Sequence, residues 1–220
     1  MAQHGSVVFT HEQTKGKGQR NKEWSSQRYQ NIAMSVITEP KGFSSSQIFL
    51  LSMTAAIAVS DFFGKYIESE IKIKWPNDIY WRDRKAAGIL IENLWQGNDW
   101  KFGIIGIGIN VNQTEFGELN TKAVSIKQIT GKNLEPLFLA KELCEIVEKR
   151  FQLLRHDASQ IISLYKSRLY KLNKTVRLKK DNRVFEARFI DVTTEGQMIV
   201  QHSVEERFSV GEVEWVINGA

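Results

Sequence analysis

The sequence contains few of the residues on which disulfides, metal clusters and nucleophilic active sites depend. Its 220 residues include one cysteine, Cys144, so it can form no internal disulfide and no Cys-x-x-Cys metal cluster. The four histidines are scattered without metal-ligand spacing, and no Gly-x-Ser-x-Gly pattern marks a hydrolase. We therefore predict no metal site built by the chain alone. We also predict a reducing, cytoplasmic setting in which Cys144 packs as a small apolar side chain.

Membrane-spanning and secretory segments are also missing. The most apolar stretch, residues 48–63, is interrupted by three hydroxyl side chains and Asp61, and it is shorter than the ~20 residues that a bilayer span requires. No basic leader precedes an apolar run at the first residues. With 42% hydrophobic residues and a net charge of +5, the chain is typical of a globular protein that works away from membranes. This charge is compatible with an anionic substrate or nucleic acid but requires neither.

Hydrophobic periodicity predicts an α+β fold. Strand patterns occur at residues 6–10, 31–38, 71–75, 79–82, 86–95 and 100–111. Helical spacing predicts a buried helix over residues 45–66, a second from Pro136 to Leu154 and a third over residues 158–170. After residue 172, five short strand patterns at 175–180, 184–192, 198–202, 206–210 and 213–217 indicate a small β-barrel. We therefore predict a main domain over residues 1–171 and an all-β domain over residues 172–220.

The segment "QTKGKGQRNKEW", residues 13–24, concentrates positive charge around Gly16 and Gly18. Residues 13–28 carry five lysines or arginines against one glutamate. The glycines let the backbone approach a ligand, and successive N–H groups of such a loop can bind an anion. No dinucleotide or P-loop glycine pattern occurs, which disfavours those two phosphate sites. The loop therefore binds a nucleotide or a nucleic-acid backbone, or it is a solvated surface loop.

Two further stretches combine polar groups with small residues. In "KWPNDIYWRDRKAAGILIE", residues 74–92, Lys85 precedes an apolar strand, where partial desolvation strengthens its attraction for an anion. Gly88 leaves space for a ligand on the sheet. In "GIIGIGINVN", residues 103–112, Asn110 must be satisfied by the backbone or by a ligand. The alternatives are a solvated turn lysine at Lys85 and a simple strand-end turn at residues 75–78.

Taken together and in this order, four segments resemble the motifs of the biotin protein ligases, the biotin–[acetyl-CoA-carboxylase] ligases: "EQTKGKGQRNKEW", "KWPNDI", "RKAAGILIE" and "GIGINVN". The resemblance covers nearly the whole chain. It implies a mixed β-sheet flanked by helices, as in class II aminoacyl-tRNA synthetases and biotin ligases, for the catalytic domain over residues 1–171. It also implies an SH3-like barrel over residues 172–220. No DNA-binding helix-turn-helix occurs, so we expect the monofunctional type without a repressor role.

The resemblance implies a two-step reaction with biotin, ATP and Mg²⁺. Biotin's carboxylate attacks the α-phosphate of ATP to form biotinyl-5′-AMP, and a lysine of a biotin carboxyl carrier protein then takes the biotinyl group. Lys85 matches the lysine at biotin's carboxyl end and is expected to be the electrostatic catalyst. Biotin or adenylate contacts are implied at Gln13, Gly16, Lys17, Gly18, Gln19, Arg20, Trp24, Asn77, Lys85, Gly88 and Asn110. No residue is predicted to be a metal ligand, and a homodimer is one expected assembly because some family members form one.

The sequence departs from the family's pattern at three places. The Ser-Thr-Asn segment that contributes to the ureido pocket is absent, so we expect either a truncated start or an incomplete biotin pocket. Lys17 and Gln19 stand where many members have arginines, and Asn21 replaces a usual glycine. Lysine lacks the bidentate fork of arginine, so we expect a weaker grip on the adenylate.

Three other functions compete with this interpretation. A lipoate or octanoate ligase or transferase of the same superfamily is the first, although "KWPNDI" followed by "KAAGILIE" favours biotin. A nucleic-acid-binding module is the second, although Trp24 is the only aromatic residue of the basic loop available for base stacking. A degenerate ligase is the third.

Overall fold

The structure, a computed structural model, describes residues 3–19 and 22–217. Its first sheet has six strands, in the order β1-β2-β6-β5-β4-β3. The strands are β1 (Val7–Thr10), β2 (Ile32–Thr38), β3 (Ile71–Lys74), β4 (Asp78–Trp81), β5 (Arg84–Gln96) and β6 (Asp99–Ile109). Each overlaps a predicted strand, because alternating β-branched residues suit a sheet with one buried face.

Neighbouring strands of the first sheet run antiparallel throughout the described residues. Parallel pairing, which the predicted mixed sheet requires, is limited to two isolated bridges, Ile73 with Leu169 and Lys85 with Ala123. The physical reason is connectivity, since short turns such as the one at Gly97 reverse the chain between adjacent strands. The predicted α+β class is confirmed, and the two parallel bridges accompany an otherwise antiparallel sheet.

Four α-helices accompany the sheets: α1 (Ile48–Gly64), α2 (Ile126–Thr130), α3 (Pro136–His156) and α4 (Ala158–Ser167). Helix α1 follows a 3-10 turn and is buried on almost all sides, between the first sheet and helices α3 and α4. This is the expected place for a helix that is apolar all round. Helix α2 is absent from the prediction, although Ser125 and Gln128 form a capping box at its start. Within the described residues, no helix has the length and hydrophobicity to cross a bilayer.

The two faces of strand β6 carry different residues. Ile105, Ile107 and Ile109 are buried and belong to the same apolar cluster as α1. Gly106 and Gly108 alternate with them and therefore face the other way. The glycines leave a flat floor on that face.

The second sheet has five antiparallel strands in the order β10-β9-β8-β7-β11. They are β7 (Thr175–Lys180), β8 (Arg183–Val192), β9 (Met198–Gln201), β10 (Glu205–Phe208) and β11 (Glu214–Trp215), one for each predicted short strand. Its buried side chains, such as Leu178 and Phe189, join one cluster that is continuous with the core of the first sheet. The domain boundary at residues 171 and 172 stays a prediction.

Specific contacts attach the second sheet to the first. Trp75 Nε1 donates a hydrogen bond to the Gly196 carbonyl at 2.9 Å, and Lys166 Nζ lies 2.7 Å from Asp191 Oδ2. The ring of Phe49 from α1 lies against Gly196, which leaves no space there for a side chain. These contacts join the second sheet to helices α1 and α4 and to the end of β3.

Candidate active site

A cleft of about 930 Å³ lies over the glycine-bearing face of the first sheet. Most of the predicted site residues line it: Gln13, Lys17, Gly18, Gln19, Trp24, Asn77, Lys85, Gly88 and Asn110. Gly16 is buried and does not line the cleft, and Arg20 lies outside the described residues. The tertiary structure thus brings three distant sequence segments to one place.

Trp24 packs against the glycine floor. A Cβ atom on Gly108 would lie 2.5 Å from the indole Cε2 of Trp24, and one on Gly88 would lie 3.1 Å from its Cζ3. Gly108 requires glycine because the aromatic ring approaches its strand directly, and Gly88 leaves only a tight fit for a side chain. The buried Nε1–H of Trp24 has no acceptor in the described part of the chain. A buried donor of this kind calls for an explanation, and an acceptor atom of a ligand would supply one.

The basic loop is a hairpin that carries Trp24 at its end. Gly18 N–H donates to the Lys22 carbonyl at 2.6 Å, and Trp24 N–H donates to the Gly16 carbonyl at 2.9 Å. A side chain on Gly16 would collide with the Trp24 carbonyl, so Gly16 closes the hairpin. These hydrogen bonds join residues 16–18 to residues 22–24, and Lys17 and Lys22 line the cleft.

Lys85 is held by both its side chain and its backbone. Its Nζ lies 2.6 Å from Asp78 Oδ1 and 5.6 Å from the ring centre of Trp24. Its N–H donates to the Lys122 carbonyl at 2.7 Å, and its carbonyl accepts from Val124 N–H at 2.9 Å. The side chain is 32% exposed, so Lys85 is not the freely solvated turn lysine of the alternative interpretation. Its ammonium group is positioned for a carboxylate, and in this structure that carboxylate is Asp78.

The two predicted asparagines direct their amide groups to the backbone. Asn77 Nδ2 donates to the Ile89 carbonyl. Asn110 Nδ2 donates to the Val124 carbonyl at 3.2 Å and to the Lys85 carbonyl at 3.4 Å. Both are buried, and these hydrogen bonds satisfy their amide N–H groups. Their role as ligand contacts stays a prediction, whereas their contact with the strand of Lys85 is observed.

Sequence reasoning missed two parts of the cleft. Gln113 Oε1 accepts from Asn31 Nδ2 at 2.6 Å and from Gln27 N–H at 3.1 Å, so it joins the residues after β6 to the residues before β2. Its position directly after "GIGINVN" was a usable signal. Trp215 of the second sheet also lines the cleft. No local pattern marks Trp215, because only the contact between the two sheets brings it there.

Charges of both signs surround the cleft. The lining lysines are Lys15, Lys17, Lys22, Lys74, Lys85 and Lys122, and the lining carboxylates are Glu23, Asp78, Glu92, Glu115 and Glu214. Within the described residues, no three His, Cys, Asp or Glu side chains group as metal ligands. This arrangement suits a polyanionic ligand that contacts several lysines, and the carboxylates separate those lysines from one another.

The sequence profile of the Biotin/lipoate A/B protein ligase family matches residues 1–110, which include the basic hairpin, Lys85 and Asn110. The chain belongs to this family. It is 29% identical over 204 residues to "Bifunctional ligase/repressor BirA" of Bacillus subtilis, a match that covers 91% of this chain and 62% of that protein. It is 28% identical over 178 residues to "Biotin--[acetyl-CoA-carboxylase] ligase" of Mycobacterium tuberculosis, covering 80% of this chain and 65% of that protein.

The family's fold is shown by a solved structure. "Biotin protein ligase from Aquifex aeolicus in complex with biotin and ATP" superposes with a TM-score of 0.84 at 23% identity, covering 99% of this chain and 91% of that chain. The chain therefore has the biotin protein ligase fold. It spans about three-fifths of the length of the Bacillus subtilis relative, 62%.

Proposed function

We propose that the protein is an ATP-dependent ligase that forms biotinyl-5′-AMP and transfers biotin to a lysine of a biotin carboxyl carrier protein. One observation carries this proposal. A single cleft combines the Lys85–Asp78 ion pair, the basic hairpin and the glycine floor beneath Trp24, in a member of the biotin/lipoate ligase family. Relatives named as biotin ligases favour biotin over the other acids of that family.

The cleft offers a physical solution to a reaction between two anions. A carboxylate and a triphosphate repel each other, and the lysines of the cleft offset that repulsion. Lys85 exchanges its Asp78 partner for the carboxylate of biotin, so its ammonium group stays paired throughout. Trp24 and the hairpin cover the adenylate and exclude water from the mixed anhydride until the acceptor lysine arrives.

Magnesium fits this site as a companion of ATP. The lining carboxylates do not group in threes within the described residues, and Mg²⁺ commonly keeps water and substrate phosphate oxygens as ligands. When bound, Mg²⁺ would neutralise part of the phosphate charge. Asp78 and Glu92 are the carboxylates closest in sequence to Lys85 that could contact it.

We further propose a cytoplasmic enzyme with no DNA partner and with a homodimer as its expected assembly. Strand β4 pairs with β5 only as far as Gly88, so the outer edge of β5 beyond it has no partner strand among the described residues. A second copy could pair with this edge. Sedimentation equilibrium with and without biotin and ATP would test this part of the proposal.

The decisive experiment is ATP–pyrophosphate exchange by the purified chain with biotin, lipoate and octanoate as separate substrates. We expect exchange with biotin, followed by labelling of a carrier-domain lysine. Exchange with lipoate or octanoate alone would reassign the enzyme within its superfamily. The absence of exchange with all three acids, together with salt-sensitive RNA or DNA binding, would overturn the enzyme assignment.

A further inference from the structure

Lys74 lines the same cleft as Lys85 and lies at the end of strand β3. In the register of β3 and β4 it stands opposite Asp78, the residue that pairs with Lys85. The sequence reasoning did not select Lys74. It is part of "KWPNDI", but nothing in that motif indicates where its side chain lies.

The surroundings of the Lys74 ammonium group are aromatic. Its Nζ lies 5.1 Å from the ring centre of Tyr80 and 5.7 Å from that of Trp215. The described part of the chain gives Lys74 Nζ no ion pair. Two other lysines differ in this respect, since Lys85 is paired with Asp78 at 2.6 Å and Lys72 is paired with Glu70 at 2.5 Å.

Burial makes this arrangement costly unless an anion completes it. Removal from water lowers the pKa of Lys74, and the nearby charges of Lys85 and Lys22 act in the same direction. Asp78 and Glu214 oppose the shift without reversing it. A desolvated ammonium group without an ion-pair partner is a weak structural element but a strong binding element for a phosphate.

The surroundings of Lys74 favour a phosphate group over the carboxylate of biotin as its ligand. Lys85 already has a carboxylate beside it, which suits the exchange with biotin's carboxylate. Lys74 shares the cleft lining with Lys22 of the basic hairpin, and its Nζ lies 5.7 Å from the ring centre of Trp215 of the second sheet. Lys74, Lys85 and Lys22 act there against the two carboxylates of Asp78 and Glu214. The net charge of these groups is positive, which favours a polyphosphate.

We propose that Lys74 is a further catalytic residue that binds the β- and γ-phosphates of ATP and stabilises pyrophosphate as it leaves. This inference rests on the proposed adenylation reaction. In that step a carboxylate oxygen of biotin forms a bond to the α-phosphorus. The bond from the α-phosphorus to the bridging oxygen breaks, and pyrophosphate leaves with that electron pair. The positive charge of Lys74 stabilises the negative charge that develops on the leaving oxygen.

Separate assays of the two half-reactions test the proposal. In Lys74→Met we expect the biotin-dependent ATP–pyrophosphate exchange to fall by about tenfold to a hundredfold, the range for a lost hydrogen bond between charged groups. Transfer from purified biotinyl-5′-AMP to a carrier-domain lysine should stay within about twofold of the wild type, since pyrophosphate takes no part in it. Lys74→Arg should retain most of the exchange because it keeps the charge.

Lys72→Met is the matched control, since Lys72 lies two residues earlier on the same strand, pairs with Glu70 and does not line the cleft. It should leave both half-reactions unchanged. Wild-type exchange in Lys74→Met would overturn the proposal, and so would an equal loss in both half-reactions, which would place Lys74 against the adenylate itself.

Direct binding of inorganic pyrophosphate separates this inference from the proposed function. By calorimetry we expect weaker binding to Lys74→Met than to the wild type and to Lys72→Met. If the wild type catalyses no exchange with any acid, the proposed ligase activity fails, and the pyrophosphate measurement still decides the role of Lys74. Equal binding by all three proteins would refute that role.

Discussion

At the scale of single residues, Lys85 Nζ lies 2.6 Å from Asp78 Oδ1, and in the proposed reaction this ammonium group binds the carboxylate of biotin. In Lys85→Ala we expect adenylate formation to fall by about a hundredfold or more, the usual cost of losing one preorganised electrostatic contact. Pyrophosphate exchange measures this loss. Lys101→Ala is the control, because Lys101 pairs with Asp99 at the β5–β6 turn outside the cleft. Exchange by Lys85→Ala at the wild-type rate would refute the assigned role.

The half-buried charge of Lys74 also predicts a dependence of stability on pH. The pKa of Lys74 is lowered from 10.5 in the folded chain, so the unfolded chain binds more protons between the folded and unfolded pKa values. The contribution of this group to the free energy of unfolding therefore rises with pH through that window. Below the folded pKa, the charged group destabilises the folded chain by its full amount. The groups that face Lys74 are Asp78, Lys85, Lys22, Glu214 and Tyr80.

We accordingly expect Lys74→Met to be at least as stable as the wild type at pH 7, with a difference that shrinks as the pH approaches 10.5. Urea denaturation at several pH values measures it, with Lys72→Met as the reference. A large loss of stability in Lys74→Met at neutral pH would identify Lys74 as a structural residue and contradict this expectation.

At the scale of elements, strand β6 and the basic hairpin meet where Trp24 covers Gly108. Gly108→Ala adds a methyl group 2.5 Å from the indole, so we expect Trp24 to be displaced and exchange to fall by about tenfold or more. Gly106→Ala is matched to it, since it lies on the same strand and face with only an ordinary contact at 3.5 Å.

The indole N–H signal of Trp24, assigned by comparison with Trp24→Phe, reports this displacement in a nitrogen–proton NMR spectrum. It should shift in Gly108→Ala and stay in place in Gly106→Ala. An unshifted signal in both variants would mean that the hairpin is not seated on β6 in solution.

At the scale of the whole molecule, the second sheet packs against helix α1 where Gly196 contacts the ring of Phe49. Gly196 has a φ of +93°, so Gly196→Ala combines backbone strain with a collision against the Phe49 ring. Gly42→Ala shares the strain, with a φ of +85°, but has open space around it. We expect Gly196→Ala to lose about 1–3 kcal/mol more than Gly42→Ala, the usual cost of overpacking.

Denaturation in urea followed by circular dichroism measures both variants. If both variants lose equal amounts of stability, the collision with Phe49 of α1 adds nothing to the cost of the backbone strain at the two glycines. If Gly196→Ala also loses exchange activity, the position of the second sheet matters for the cleft, as the place of Trp215 in its lining implies.

The local pattern of residues was sufficient to predict most of the secondary structure of this protein. Alternation and apolar runs predicted the eleven strands and three of the four α-helices, since the period of a strand or helix is a property of neighbouring residues. The ordered motifs around Lys85, Gly88 and Asn110 predicted one site, and those residues do line one cleft. Helix α2 was not predicted because its five residues are too few to show a helical period.

Tertiary structure decided everything that depends on which distant groups meet. Asp78 becomes the partner of Lys85 through the β4–β5 register, and Lys74 receives aromatic neighbours in place of a carboxylate. Trp215 of the second sheet reaches the cleft although it lies more than a hundred residues beyond Asn110 in the chain. Charge and composition specify which residues are available to bind an anion. The packing of the two sheets sets burial and pairing, and it leaves Lys74 half-buried among aromatic rings with no ion pair in the described part of the chain.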